Sequence, residues 1–290
     1  MLRSWMFVPG DSEKMLGKST SLAADALVFD LEDAVNEPRK AVAREMVAAH
    51  LQQAPRDGSQ LWVRINALDT AHALSDIKTV LAGRPDGLVL PKAEHGQLAD
   101  TLAGHLDAAE TDLGLQAGST RIALIAFETP RAVLNLASYQ TLHPRVCGLS
   151  WGAEDLAAGI GAQSNRDEQG EYTEPYRLAR SLSLIAAGAA AVQAIDTAFT
   201  DFRDLAGLQR SCQQARRDGF LGKIAIHPGQ LEAIHAAFTP GEDELEHARA
   251  VVAAFAANPG AGVVALDGKM LDKPHLQQAE RLLSFEASAP

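Results

Sequence analysis

Leu124-Ile125-Ala126-Phe127-Glu128-Thr129-Pro130 is the stretch from which the rest of the chain is read. A short apolar run, the length of a buried strand, gives out at an acid. Gly148-Leu149-Ser150-Trp151-Gly152-Ala153-Glu154-Asp155-Leu156 repeats the arrangement downstream. A carboxylate at the exit of a buried strand is costly unless a cation or a donor meets it. Two of them on neighbouring strands make a hard-oxygen pair. Such a pair suits Mg²⁺, which takes oxygen ligands and keeps positions open for substrate and water. The competing reading is that each acid caps the helix that follows it.

Similar apolar runs recur at Trp5–Val8, Ala26–Phe29, Leu61–Ile65, Gly87–Leu90, Ile122–Ala126, Val146–Leu149, Ala191–Ile195 and Lys223–Ile226. Near-continuous apolar strands suit a parallel sheet covered on both faces. Strands alternating with helical stretches imply βαβ units. Eight units over this length predict an α/β fold, a closed (β/α)₈ TIM barrel. An open doubly wound sheet is the alternative, but no Gly-x-Gly-x-x-Gly opens a helix after any of these runs.

Between the runs, Glu37–Val47 has helical spacing with a proline near its start. Pro175–Ala191 reads as a helix with Leu178, Leu182 and Ile185 on one face. Ser164–Thr173 has no periodicity and reads as a polar loop bordering a site. The barrel count ends near Pro228. Beyond it come a helix over Glu242–Ala257, a break at Asn258-Pro259-Gly260 and an apolar run at Val263–Leu266. Asp267-Gly268-Lys269-Met270 and an amphipathic helix over Pro274–Phe285 complete the chain. The expected organisation is a barrel over residues 1–240 with a C-terminal helical extension over 241–290.

Composition narrows the function. A formal net charge of −11 over 290 residues argues against a general nucleic-acid or anionic-membrane surface. Cys147 falls in a core strand and Cys212 in a helix, so a disulfide framework is not expected and a reducing cytoplasm fits. The N-terminus carries no signal-peptide pattern, and no run approaches the roughly 20 apolar residues of a membrane span.

In a barrel of this kind the chemistry gathers where the strands end. The eight exits carry Asp11, then Asp30, Glu32 and Asp33, then Arg64 and Asn66, then Lys92, Glu128, Asp155, Asp196 and finally His227 with Pro228. That is a dense set of ionisable groups for one rim.

These residues belong to a recognisable series. Arg3-Ser4-Trp5-Met6-Phe7-Val8-Pro9-Gly10, Phe29-Asp30-Leu31-Glu32-Asp33-Ala34-Val35, Val63-Arg64-Ile65-Asn66, Leu90-Pro91-Lys92-Ala93-Glu94, Glu128-Thr129-Pro130, Gly152-Ala153-Glu154-Asp155-Leu156, Ala225-Ile226-His227-Pro228 and Asp267-Gly268-Lys269-Met270 follow one another in family order. The chain resembles the citrate lyase β-subunit-like branch of the HpcH/HpaI aldolase superfamily, which includes malyl-CoA, citramalyl-CoA and citryl-CoA lyases. The resemblance implies that Glu128 and Asp155 ligate Mg²⁺. It implies that Arg64 binds the carboxylate and oxygen of a small 2-oxo acid. Asp30, Glu32 and Asp33 then hold metal-bound water and orient Arg64. Asp267 exchanges the proton at the acetyl-CoA carbon, from a C-terminal segment that covers the site of a neighbouring subunit in a homotrimer or hexamer.

The chemistry calls for these residue types. Cleaving the bond between the hydroxyl-bearing carbon and the acyl α-carbon of a 3-hydroxy-dicarboxyl-CoA thioester leaves a carbonyl on one side and a thioester enolate on the other. A Lewis acid polarises the forming carbonyl. The arginine fork holds charge that develops on oxygen, and a positioned acid protonates the enolate carbon. Each residue also has a plainer reading. Arg64 would be a structural partner of Asp30 or Glu32, Asp196 a helix cap, and Asp267 a turn residue before Gly268. Lys14, Lys18 and Lys92 would be solvated charges rather than contacts to CoA. His227 would bond backbone rather than wall a CoA pocket with Pro228. Three other functions compete with the lyase: a malyl-CoA-type thioesterase, a free 2-oxo acid aldolase that needs no CoA, and a non-enzymatic binding module or β subunit of a citrate lyase docking an acyl carrier protein.

Overall fold

The computed structural model describes residues 1–286. It forms two compact units, one from Leu2 to His235 and the other beginning at Ala236. In the first unit each of the eight apolar runs is a strand: β1 (Ser4–Pro9), β2 (Ala26–Asp30), β3 (Gln60–Arg64), β4 (Gly87–Leu90), β5 (Arg121–Phe127), β6 (Val146–Trp151), β7 (Gln193–Asp196) and β8 (Gly222–Ala225). All pair in parallel in chain order, and β8 returns to β1, so the barrel is closed. The helices are α1 (Glu13–Ser19), α2 (Lys40–Gln53), α3 (Ala73–Leu81), α4 (Leu98–Asp112), α5 (Pro130–Leu134), α6 (Ala153–Ile160), α7 (Glu174–Ala189), α8 (Leu205–Asp218) and α9 (Leu231–Phe238).

Inside the barrel, Trp5, Val28, Trp62, Val89, Ile125, Ile195 and Ile224 make one apolar cluster. Trp5 and Trp62 meet with ring centroids 4.9 Å apart. Gly87 is required beside them, because a Cβ there would fall 2.2 Å from the Trp62 ring. Side chains alternate along a strand, so the residues two beyond Val28 and Trp62 share the inward face. Those residues are Asp30 and Arg64, and the β2–β3 register sets them side by side. The packed floor thus dictates which polar groups stand above it.

Two expectations about α7 need correction. The stretch Ala191–Ile195 does not begin as a strand. Ala191 takes a left-handed φ of 55° that closes α7, and β7 starts at Gln193. The face of α7 that meets the strands is also not the leucine face. Tyr176, Ala179, Ser183, Ala186 and Ala187 are buried, while Leu178 and Ile185 are exposed. Four of these five buried side chains are small, and Tyr176 is the one large ring among them.

Asp196 is not a helix cap. It is buried at the end of β7, where it accepts hydrogen bonds from Lys223 Nζ at 2.8 Å, Trp151 Nε1 at 2.9 Å and Arg180 Nε at 3.3 Å. Burial opposes its charge, but Lys223 and Arg180 hold its carboxyl below the usual range. Lys223 is itself only 1% exposed.

In the second unit, α10 (Glu242–Ala256) and α11 (Lys273–Glu286) enclose a small core with Val264 and Leu271. The run Val263–Leu266 is β9. It pairs antiparallel with a strand not anticipated from sequence, β10 (Lys269–Asp272). Asp267 and Gly268 form the two-residue turn between them, both at positive φ (49° and 74°), as a tight hairpin turn demands. Among the described residues no helix is long and apolar enough to cross a membrane.

Removing one partner of a buried ion pair strands the other. Asp196→Ala is therefore expected to cost about 3–5 kcal/mol, read from urea denaturation. The double variant Asp196→Leu, Lys223→Met should regain most of that loss. A single-variant cost below about 1 kcal/mol, the range of exposed pairs, would contradict the assignment.

Candidate active site

The strand exits bring seven of the residues singled out from sequence into one cluster. Asp30 binds Arg64 through both oxygens, Nε to Oδ1 at 2.7 Å and Nη2 to Oδ2 at 2.6 Å. The same carboxylate accepts Glu32 N–H at 2.9 Å and Ala34 N–H at 3.1 Å. One side chain thus shapes the loop after β2 and orients the guanidinium. Arg64 Nη1 lies 2.9 Å from Glu32 Oε2 and 3.9 Å from Asp33 Oδ2, and its head sits 5.0 Å from the centre of the Phe7 ring.

Across the rim, Lys92 Nζ reaches Glu32 Oε1 at 2.7 Å, Asp155 Oδ1 at 3.1 Å and Asp33 Oδ2 at 3.4 Å. Its backbone N–H donates to Glu128 Oε1. Lys92 reaches that position from a left-handed φ of 48°. Glu128 is directed here by a break in pairing. The β5–β6 register shifts between Ile125 and Phe127, and Glu128 N–H folds back onto Ala126 O at 2.8 Å. Phe127 turns to pack on Tyr139, 4.9 Å between centroids. Bulges of this kind re-aim side chains beside active sites. Gly152 accommodates the result, since a Cβ there would lie 2.7 Å from Glu128 Cβ and 2.9 Å from Oε2.

Neither acid caps a helix. Thr129 caps α5, its hydroxyl accepting Ala132 N–H at 3.2 Å, and α6 begins at Gly152 with no side-chain cap. Asp155 sits in the first turn of α6 rather than on the strand.

Supports behind the cluster escaped the sequence reading. Lys40, buried at the start of α2, donates to Leu31 O at 2.8 Å and Glu32 O at 2.7 Å. Asp76, fully buried on α3, accepts from Asn66 N and Nδ2 and from Arg44 Nε. Asn66 Nδ2 also donates to Leu31 O at 3.0 Å. An ordinary helical lysine and aspartate give no local signal of this. Only Asn66, next to the Arg64 strand, stood out in the sequence.

Five carboxylates (Asp30, Glu32, Asp33, Glu128 and Asp155) meet two cations in the cluster. Burial pushes the Glu128 carboxyl up to about 8, with Asp155 adding to the rise and Lys92 opposing it. Burial also raises Glu32, against Arg64 and Lys92. Burial works against the charge on both cations, but the surrounding acids outweigh it and hold each above its ordinary value. The imbalance fits one more cation. Among the described residues no three such acids, histidines or cysteines converge on one point. A cation held by Glu128 and Asp155 would take its remaining oxygens from substrate and water, as Mg²⁺ does.

Lys14 and Lys18 are exposed on α1. His227 stacks on Phe202 and accepts Gly229 N–H at 3.1 Å, next to exposed Pro228. Asp267 belongs to the second unit, at the hairpin tip.

The family described as HpcH/HpaI aldolase/citrate lyase matches residues 3–228. A citrate lyase subunit beta from Leuconostoc mesenteroides subsp. cremoris is 34% identical over 98% of this chain and 92% of its own. A (3S)-malyl-CoA thioesterase from Cereibacter sphaeroides is also 34% identical, over 99% and 97%. Among solved structures, the CitE protein of Mycobacterium tuberculosis, in complex with magnesium, acetoacetate and coenzyme A, superposes with a TM-score of 0.76. It is 32% identical and covers 99% of this chain and 98% of its own.

The raised pKa of Glu128 has a measurable consequence. Between the unfolded value of 4.5 and about 8 the folded chain binds more protons than the unfolded one, so this group lowers stability as pH rises through that window. Glu128→Gln has no proton to lose and keeps an oxygen for Lys92 N–H. In EDTA its melting temperature should gain on the wild type between about pH 5 and pH 9, by roughly 5 °C. A difference that stays constant with pH would show that Glu128 ionises unhindered.

Proposed function

The chain belongs to the HpcH/HpaI aldolase/citrate lyase family, and from that membership we propose that it is a Mg²⁺-dependent carbon–carbon lyase. Its substrate is a 3-hydroxy-dicarboxyl-CoA thioester of the citramalyl-CoA, malyl-CoA or citryl-CoA type, released as acetyl-CoA and a small 2-oxo acid. The observation that carries the reading is the meeting of an anion-binding fork, Arg64, with a hard-oxygen pair, Glu128 and Asp155, in one charged cluster.

Glu128 and Asp155 hold the cation, which when bound supplies Lewis-acid polarisation of substrate oxygen. Arg64, locked by Asp30, offers Nη groups of fixed direction to the substrate carboxylate and to the hydroxyl oxygen, which carries negative charge once its proton leaves and before the carbon–carbon bond breaks. Glu32 and Asp33 hold water beside the cation. The hydroxyl proton passes to solvent water, the electron pair of the broken bond moves to the acyl α-carbon as the hydroxyl oxygen becomes the carbonyl, and Asp267 of a neighbouring copy delivers a proton to that carbon. In the condensation direction the same carboxylate removes it. Lys14, Lys18, His227 and Pro228 contact the CoA moiety.

Two other readings have specific support. The thioesterase relative favours attack of water on the thioester in the same site. The citrate lyase subunit favours a role within a complex. Incubation of the purified chain with each thioester, with Mg²⁺ or with EDTA, separates all three. Acetyl-CoA plus a 2-oxo acid is expected. Free CoA plus an intact hydroxy acid would establish a thioesterase, and inactivity until an acyl carrier partner is added would establish a subunit.

Two substitutions test the roles. Arg64→Lys retains charge but not the fork, and turnover should fall at least about 100-fold; wild-type kinetics would make Arg64 structural. Asp267→Asn should keep metal and 2-oxo acid binding and lose turnover. Mixed with Glu128→Gln after subunit exchange, it should regain partial activity, because some sites then combine an intact Glu128 with an intact neighbouring Asp267. Verified mixed oligomers without recovery would mean that Asp267 serves no neighbour.

A further inference from the structure

Lys92 stands apart from the other charged residues of the rim. Arg64 pairs with Asp30, Glu32 and Asp33. Lys92 ties that half of the cluster to the other, through Glu32 and Asp33 on one side and Asp155 and Glu128 on the other. It does so with two different groups. The backbone N–H takes Oε1 of Glu128, and the ammonium takes Oδ1 of Asp155 at 3.1 Å. The backbone reaches this position by adopting a φ of 48°, a conformation that a lysine holds where its surroundings over-determine it. Its side chain is one-third exposed, so packing does not explain the placement.

We propose that Lys92 is a positioning residue that presents Glu128 and Asp155 to a divalent cation one oxygen at a time. This rests on the reading of those two acids as cation ligands. Occupying Oε1 and Oδ1 leaves Oε2 and Oδ2 for the cation. Single-oxygen ligation suits Mg²⁺, which demands compact octahedral geometry, whereas Ca²⁺ accepts both oxygens of a carboxylate at longer range. Lys92 thereby acts on ion choice as well as on ion affinity. Gly152 works with it, because any Cβ there would crowd the Oε2 that the cation needs.

The sign of the effect separates positioning from plain electrostatics. Removing a positive charge beside two carboxylates strengthens their attraction for any divalent cation. Removing a positioning group weakens binding despite that gain. Calorimetric titration of the full chain with MgCl₂ and, separately, with CaCl₂ reads both. Lys92→Met keeps the N–H and loses the ammonium. Its Mg²⁺ affinity should fall by about 10- to 100-fold, the range for groups that orient ligands, with a smaller change for Ca²⁺. Lys92→Arg should recover part of the loss. If Lys92→Met does not fold by its thermal melt, Lys92→Gln takes its place in the same comparison. Mg²⁺ binding by the neutral variant as tight as or tighter than wild type, or an equal loss for both ions, overturns the proposal. A wild type that binds no Mg²⁺, and does not differ from Glu128→Gln, overturns the ligand reading on which it rests.

Discussion

The contact between Asp30 and Arg64 is the one on which the site depends. It is a cross-strand neighbour pair, set by the parallel register of β2 and β3 and by the alternation of side chains above Val28 and Trp62. Because Asp30 also accepts two backbone N–H groups of the following loop, the pair fixes Glu32 and Asp33 as well. Losing Asp30 would free a buried guanidinium and unpin the loop together. The packed aromatic floor, Trp5 against Trp62, stands beneath this arrangement, and Gly87 makes room for it.

An excess of carboxylates in one place is costly unless compensated. Here two cations answer five acids, and the deficit falls hardest on Glu128, which is fully enclosed and pushed up to about 8. Structural ion pairs in the same protein look different. Asp196 with Lys223 and Arg180, or Arg145 with Glu110 and Asp107, surround their acids with enough donors and charge to hold Asp196 and Glu110 low. The contrast between an uncompensated cluster at the strand exits and compensated ones elsewhere is a physical reason to place the chemistry at that rim.

The relatives carry names that include both a lyase subunit and a thioesterase at the same identity. A site that polarises a hydroxy-acyl thioester serves either outcome. What then decides is which bond lies in line with the developing charge, and whether a proton donor stands over the acyl carbon or a water over the carbonyl.

The chain's periodicity determined the architecture: eight apolar runs spaced by helical segments are enough to specify a parallel barrel, and each run became a strand. It also placed the charged candidates, because residues at strand exits share one rim whatever their separation in sequence. Asp30, Glu32, Asp33, Arg64, Lys92, Glu128 and Asp155 were legible for that reason. What sequence left undetermined turns on packing between elements. The bulge that re-aims Glu128 arises from a mismatch between β5 and β6, which no local pattern records. The inward face of α7 carries Tyr176 with Ala179, Ser183, Ala186 and Ala187, while Leu178 and Ile185 are exposed, a choice made by the packing of the helix on its neighbours and not by its own hydropathy pattern. Asp196 became a buried ion-pair acceptor instead of a cap because Lys223, Trp151 and Arg180 come from three other elements. Lys92 read in isolation as either a rim charge or a contact to CoA, and only the joining of β2, β5 and β6 exits around it made it the link between the two halves of the site.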